Sequence, residues 1–220
     1  MTGQELLDLL RFRLGKRTST DLPDVTMLLE INELVKNKLQ KAATLPWFLQ
    51  DEDVTISTVA STEYIALPSD FLAFDDDDEW SEIAYRNTTI EVPDQWVKLE
   101  NHDFNAVRKA YRENVSGKPE YYGLVGLRAY LRPIPDAIYN IRFRFYAADS
   151  AITASSGTTL WLTHASDLLI AQSGYIFGRF YLRDPEVADS FTDDIAIAND
   201  RILRETIARR EAGKSRQMGE

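Results

Sequence analysis

The chain has 220 residues, 44% of them hydrophobic and 27% charged, which suits one globular domain, or one domain with an inserted lobe, large enough to bury a sizeable core. Its 35 acidic residues against 25 Lys or Arg leave a net charge of -10, which argues against a general grip on nucleic-acid phosphates and fits a surface that DNA passes without sticking. The absence of cysteine removes disulfides, thiolate metal sites and a Cys nucleophile. Met1-Thr2-Gly3-Gln4-Glu5 carries no basic stretch and reads as no signal peptide. The most apolar stretch, 168–182, is too short and too polar for a membrane span, being broken by Gln172, Ser173 and Arg179.

In chain order, Thr2 and Glu5 stand in capping-box spacing ahead of Leu6, Leu7, Leu10 and Leu14, with Gly15 as a stop, which predicts a short helix. After a polar loop at 16–21, Asp24 is placed to cap a second helix reaching about Ala43. Leu28, Ile31, Val35, Leu39 and Ala42 share one face of it, and Pro46 ends it. The period then changes to two. Val54, Ile56 and Thr58 alternate with Thr55 and Ser57, Ala60-Ser61-Thr62 turns the chain, and 64–67 reads as the returning arm of a hairpin closed by Pro68-Ser69-Asp70. Weaker strand patterns occupy 81–85, 88–92 and 96–99, and 101–112 reads as a helix with Phe104, Val107 and Tyr111 aligned.

Beyond Gly117-Lys118-Pro119 the pattern is strongly β. Strands at 121–125 and 127–132 are separated by Gly126, with Leu127, Ala129 and Leu131 on one face and Arg128, Tyr130 and Arg132 on the other. After a Pro133-Ile134-Pro135-Asp136 loop, Tyr139, Ile141, Phe143 and Phe145 alternate with Asn140, Arg142 and Arg144, the clearest half-buried strand in the chain. A linker rich in Ala, Ser and Thr covers 151–159. Ser166 or Asp167 starts a helix to about Arg183. Asp184-Pro185-Glu186 starts a last one, with a stripe of Val187, Phe191, Ile195, Ala198 and Ile202 and a stop at Gly213. The fold class is therefore α+β: a helical bundle built from both chain ends carries a central antiparallel β-rich lobe. As a single domain over 1–220, it places the helical body at about 1–48, 101–115 and 160–213, the lobe at about 52–100 and 117–148, and a polar tail at 214–220.

The chemistry-bearing residues form no catalytic pattern. His102 and His164 are the only histidines, and no nucleophile-elbow glycines accompany them. The run Asp75-Asp76-Asp77-Asp78-Glu79 lacks the alternate spacing and mid-loop glycine of a calcium site and reads as a solvated loop. Gly174 and Gly178 stand four apart, which suits close packing of two helices or of a helix on a neighbouring subunit. No phosphate loop, dinucleotide fingerprint or zinc-helix motif is present, so no cofactor and no metal is implied. Trp47, Phe48, Trp80, Trp96 and Trp161 lie beside element ends, where they suit a core or a subunit interface. From Arg201 onward the charge balance reverses: Arg201, Arg204, Arg209, Arg210, Lys214 and Arg216 stand against Glu205, Glu211 and Glu220. Basic residues there complement the helix dipole, and the stretch past Gly213 is too polar to fold alone. These residues describe a binding or structural protein rather than an enzyme.

The order of segments resembles the head-to-tail adaptors of tailed bacteriophages, including the podophage tail tubular protein A type. The likeness is carried by Leu67-Pro68-Ser69-Asp70-Phe71, Gly117-Lys118-Pro119-Glu120-Tyr121-Tyr122, Leu131-Arg132-Pro133-Ile134-Pro135-Asp136 and Phe143-Arg144-Phe145-Tyr146-Ala147. Trp161-Leu162 and Tyr181-Leu182-Arg183-Asp184-Pro185-Glu186 before a long final helix complete it. The resemblance implies a virion protein, assembled in the host cytoplasm, that forms a ring beneath the portal protein, usually of twelve copies. That ring extends the DNA channel, DNA passing without specific binding, and offers a face to the tail nozzle or other tail proteins, with no membrane involved. It also implies docking to the portal through the C-terminal segment, which makes Arg204, Arg209, Arg210, Lys214 and Arg216 the expected docking residues. Other phage ring components, a tail terminator or nozzle subunit, share the ring logic but not this element order, and a small hydrolase lacks a supporting constellation.

Overall fold

The computed structural model describes residues 1–15, 17–74, 83–87, 95–110, 115–154 and 158–217. The acidic run 75–79, Trp80, the strand expected at 88–92 and the middle of the 151–159 linker lie outside them. The chain forms two compact units, Met1–Leu49 with Ala148–Glu220, and Gln50–Ala147. In chain order the helices are α1 (Gly3–Arg13), α2 (Asp24–Asn37), α3 (Phe104–Ala110), α4 (Leu160–His164), α5 (Ser166–Ile176), α6 (Pro185–Asp189) and α7 (Thr192–Gln217).

In the first unit α1 begins with the expected capping box: the Thr2 hydroxyl accepts the Glu5 N–H at 3.2 Å and the Glu5 carboxylate accepts the Thr2 N–H at 2.8 Å. Leu6, Leu7, Leu10 and Leu14 are fully buried. Gly3 leaves no room for a side chain, because a Cβ there would run into the Thr153 carbonyl. Asp24 does not cap α2. It is the first helical residue, and its carboxylate accepts from the buried Arg11 guanidinium, which also donates to the Leu22 carbonyl at 2.7 Å. The buried stripe of α2 is Met27, Ile31, Leu34 and Val35; Leu28 is half-buried and Ala42 exposed. The helix stops at Asn37, short of Ala43, and a 3-10 turn follows at Leu39–Lys41.

At the centre of this unit lies α5. Every residue from Leu168 to Gly174 is buried, as expected of a helix apolar on all sides, and α1, α2, α4, α6 and α7 all pack on it. Each fully buried Leu or Ile side chain contributes about 1.5–3 kcal/mol. The helix runs into a π turn, Phe177–Tyr181, where the Leu182 N–H reaches the Phe177 carbonyl at 2.9 Å. The single last helix expected from Asp184 is two helices. Asp184 caps α6 by accepting the Val187 N–H, and the chain breaks at Ser190-Phe191 before α7. Gly174 and Gly178 make room beside the break. A Cβ at 174 would lie 2.4 Å from the Phe191 ring and one at 178 would lie 2.9 Å from the Ala188 nitrogen, so the glycine pair serves close packing within the chain. Gly213 does not stop α7, and residues 214–217 of the expected tail are helical. A glycine costs a helix about 1 kcal/mol, which the good helix formers around it accommodate.

The second unit holds eleven described strands: β1 (Gln50–Ser57), β2 (Tyr64–Ala66), β3 (Phe71–Phe74), β4 (Ala84–Asn87), β5 (Gln95–Lys98), β6 (Glu100–Asn101), β7 (Ser116–Gly117), β8 (Tyr121–Val125), β9 (Arg128–Arg132), β10 (Ile134–Pro135) and β11 (Asn140–Ala147). β11 is central to the larger sheet. β1 pairs antiparallel along one edge, from Ser57 opposite Asn140 to Gln50 opposite Tyr146, while β3 and β4 share the other edge and β5 extends it. A second sheet runs β2-β9-β8-β6, and a short parallel pair joins β10 to β7. Ile141, Phe143 and Phe145 of the first sheet form one core with Ile65, Tyr122, Ala129 and Leu131 of the second. Gly126, at φ +57°, opens the two-residue turn between β8 and β9, as a type II′ hairpin requires.

Three expectations are corrected here. β1 and β2 are not a hairpin: β1 pairs with β11 and β2 with β9, because alternation states which face is buried but not which strand lies alongside. The helix expected at 101–112 begins only at Phe104, is preceded by a strand, and belongs to the second unit rather than to the unit of the terminal helices. It packs on β8 and β9, where Gly123 admits it: a Cβ there would lie 3.0 Å from the Phe104 Cα. Arg132, expected on a polar face, is buried and paired with Glu63 at 2.6 Å.

Candidate docking surface

The site is built on α7. Its last buried described side chain is Thr206, whose hydroxyl donates to the Ile202 carbonyl at 2.8 Å and accepts the Trp47 N–H at 3.3 Å. One turn earlier Arg201 donates to Asp167 at 2.6 Å, to the His164 carbonyl at 3.1 Å and to Glu205 at 3.3 Å. Partial burial works against its charge, but the Asp167 and Glu205 carboxylates outweigh it and hold the guanidinium above its ordinary pKa. Arg201 thus clamps α7 onto α4 and α5, with four of its five N–H donors engaged.

Past that clamp the expected docking residues diverge. Arg204 is 78% exposed and pairs with Asp200 at 2.8 Å, one turn back. An exposed pair at this spacing stabilises by about 0.3–0.5 kcal/mol, so a partner carboxylate can replace Asp200 at little cost. Arg209 lies with its guanidinium carbon 3.4 Å from the centroid of the Trp47 ring, a cation–π contact of about 0.5–1 kcal/mol at an exposed site. Trp47 in turn meets Phe48 at 5.8 Å and His164 at 4.9 Å, and Phe48 meets Trp161 at 5.1 Å. Arg210, Lys214 and Arg216 are helical positions whose side chains lie outside the described residues. Positions 203, 207, 210 and 214 recur at spacings of four, three and four, which is one face of a helix. Leu203 and Ile207 on it are each 44% exposed. That face therefore runs from two uncovered aliphatic positions to two cationic ones, a chemistry suited to a partner with an apolar recess beside acidic groups.

Reading the sequence for charge misses Trp47, the platform of Arg209, because the two are 162 positions apart; the signal available was a tryptophan just after Pro46. The histidine rings are both engaged in contacts. His102 meets Glu100 at 3.3 Å and Tyr121 at 5.2 Å, and His164 packs between Trp47 and Phe48. Among the described residues no three His, Cys, Asp or Glu gather as metal ligands, and no helix is long and apolar enough to cross a membrane.

The family model described as SU10 adaptor protein matches residues 1–217. The chain belongs to that family. It is a family of phage head-to-tail adaptors, so the chain is a structural component of a virus particle, and membership implies interaction with portal and tail proteins. No curated protein matches the chain.

Proposed function

We propose that this adaptor assembles in the host cytoplasm as a closed homo-oligomeric ring of twelve copies beneath the portal. The ring extends the DNA channel, offers a face to the tail nozzle or other tail proteins, and docks to the portal through residues 204–216. In this reading a helical body built from both chain ends carries the β-rich lobe, and the two remain joined in every copy. One observation carries the docking assignment: α7 continues for eleven residues past Thr206, its last buried described side chain, and that extension bears Arg209, Arg210, Lys214 and Arg216. An isolated helix of this length is marginal in water, so a partner that covers it supplies the missing stabilisation. A net charge of -10 suits a channel wall that repels DNA phosphates.

Truncation after Ala208 tests the docking role while keeping the Thr206 hydroxyl on Trp47 and the Arg201 clamp. The truncated chain is expected to keep its cooperative melting but to fail to co-sediment with portal-containing heads, and filled heads completed with it leak DNA. Full binding of the truncated chain moves the docking surface off the residues beyond Ala208.

A further inference from the structure

The end of α5 carries a cationic, aromatic knuckle that the docking segment does not use. The π turn Phe177–Tyr181 and Arg183, at φ +54°, swing four side chains outward. Phe180 is 68% exposed and Tyr181 42% exposed, between Arg179 and Arg183, which are also exposed and make no ion pair among the described residues. The turn is held firmly. The Leu182 N–H reaches the Phe177 carbonyl and the Asp184 N–H the Gly178 carbonyl, each at 2.9 Å, and the Tyr181 hydroxyl donates to Glu30 of α2 at 2.5 Å. Gly178 lets it sit against Ala188. A π turn and a left-handed non-glycine residue are both uncommon, and such local departures gather at functional sites. Solvation accounts for exposed arginines but not for a phenyl ring held in water on a rigid support, whereas Arg, Tyr and Phe together are the composition of interface centres.

On α6, immediately after the knuckle, Glu186 and Asp189 are exposed, and neither makes an ion pair among the described residues. The surface therefore holds a cationic aromatic half and an acidic half side by side. We propose that this surface is a contact between copies of the chain, in which Arg179, Phe180, Tyr181 and Arg183 of one copy seat on Glu186 and Asp189 of a second copy. Charge complementarity selects a second copy as the occupant, since each copy presents both halves and the contact can repeat from copy to copy. The proposal rests on the ring reading above and names a surface through which copies meet.

Charge reversal with exchange tests it. The full chain is made as Arg179→Glu/Arg183→Glu and, separately, as Glu186→Lys/Asp189→Lys, with circular dichroism confirming that both fold. All four side chains are exposed, and self-association is read by sedimentation and crosslinking, with and without portal-containing heads as template. Each variant alone is expected to associate about tenfold or more weakly than the unaltered chain, because every contact then sets like charge on like charge. An equimolar mixture restores association, since each variant's altered half now faces the opposite sign on the other. Phe180→Ser, which leaves the charges intact, weakens association without being rescued by either variant. Variants that associate like the unaltered chain overturn this contact and leave the ring reading standing. An unaltered chain that never self-associates, even on the template, overturns both. Variants that fail alone and fail when mixed also overturn the pairing, for the lost association then has another cause.

Discussion

Each unit is organised around one element that its neighbours cover from both sides, yet the two elements announce themselves differently. In Met1–Leu49 with Ala148–Glu220 the hub is α5, buried through seven successive residues from Leu168 to Gly174. In Gln50–Ala147 the hub is β11, where Ile141, Phe143 and Phe145 are buried and the residues between them, Arg142 and Arg144, are half-buried. A helix enclosed by helices needs apolar character all round; a strand with strands on both edges needs it on alternate residues only, since its edges are satisfied by backbone hydrogen bonds. The units differ in charge as well. Gln50–Ala147 holds 18 of the 35 acidic residues but only 10 of the 25 basic ones, while the helical unit is nearly balanced.

The sharpest way to break this comparison is at the strand hub. Phe143→Asp is expected to cost about 4 kcal/mol or more by placing a carboxylate where exposure is 0%, enough to unfold the β unit. Arg142→Glu, one residue away and lying over the Trp96 ring at 5.6 Å, costs about 1 kcal/mol or less. Equal denaturant midpoints for the two variants would mean that the faces of β11 are assigned wrongly.

At the helix hub, Gly174→Ala is expected to destabilise by about 1–3 kcal/mol, because the new methyl meets the Phe191 ring and the core must shift. Gly126→Ala in the β8–β9 turn has open space around it and costs only about 1–2 kcal/mol, all of it from the left-handed backbone. Thermal melts of the two variants compare packing with conformation directly. A smaller effect of opposite sign is expected from Ser173→Ala: the Ser173 hydroxyl is buried without a protein partner, so its removal leaves stability within about 0.5 kcal/mol or raises it.

The smallest effect is set by pH, one tyrosine in each unit. Tyr139 is pushed up to about 12, first by burial and then by its hydrogen bond to Asp136; Tyr181 is pushed up to about 12, first by its hydrogen bond to Glu30 and then by burial. Both folded pKa values lie above the ordinary 10.0, so the stability tied to the neutral phenols is complete below pH 10 and is lost as pH rises towards 12. Phenolate absorbance followed through this window is expected to show the Tyr139 and Tyr181 phenols titrating late, and Tyr181→Phe removes its own late contribution while leaving that of Tyr139.

The sequence by itself determined the local events. The capping box of Thr2 and Glu5, the buried faces of α1 and β11, the Asp184 cap and the hairpin glycine at 126 are all settled within a few residues, by hydrogen bonds and periodicities that need no distant partner. Of the candidate docking face, the basic reversal past Arg201 was legible, but not that Arg201 itself is held in a clamp or that Arg209 rests on Trp47. Tertiary structure alone decided which strands pair. It set β1 against β11 rather than β2, added β3 beside β11, and turned α3 onto β8 over Gly123. It likewise split the last helix by wedging Phe191 over Gly174, and carried Asp24 to Arg11 instead of to a helix cap. The reason is common to all of these: burial and hydrogen bonding specify what kind of partner a residue needs, and only the assembled chain specifies which one comes within reach.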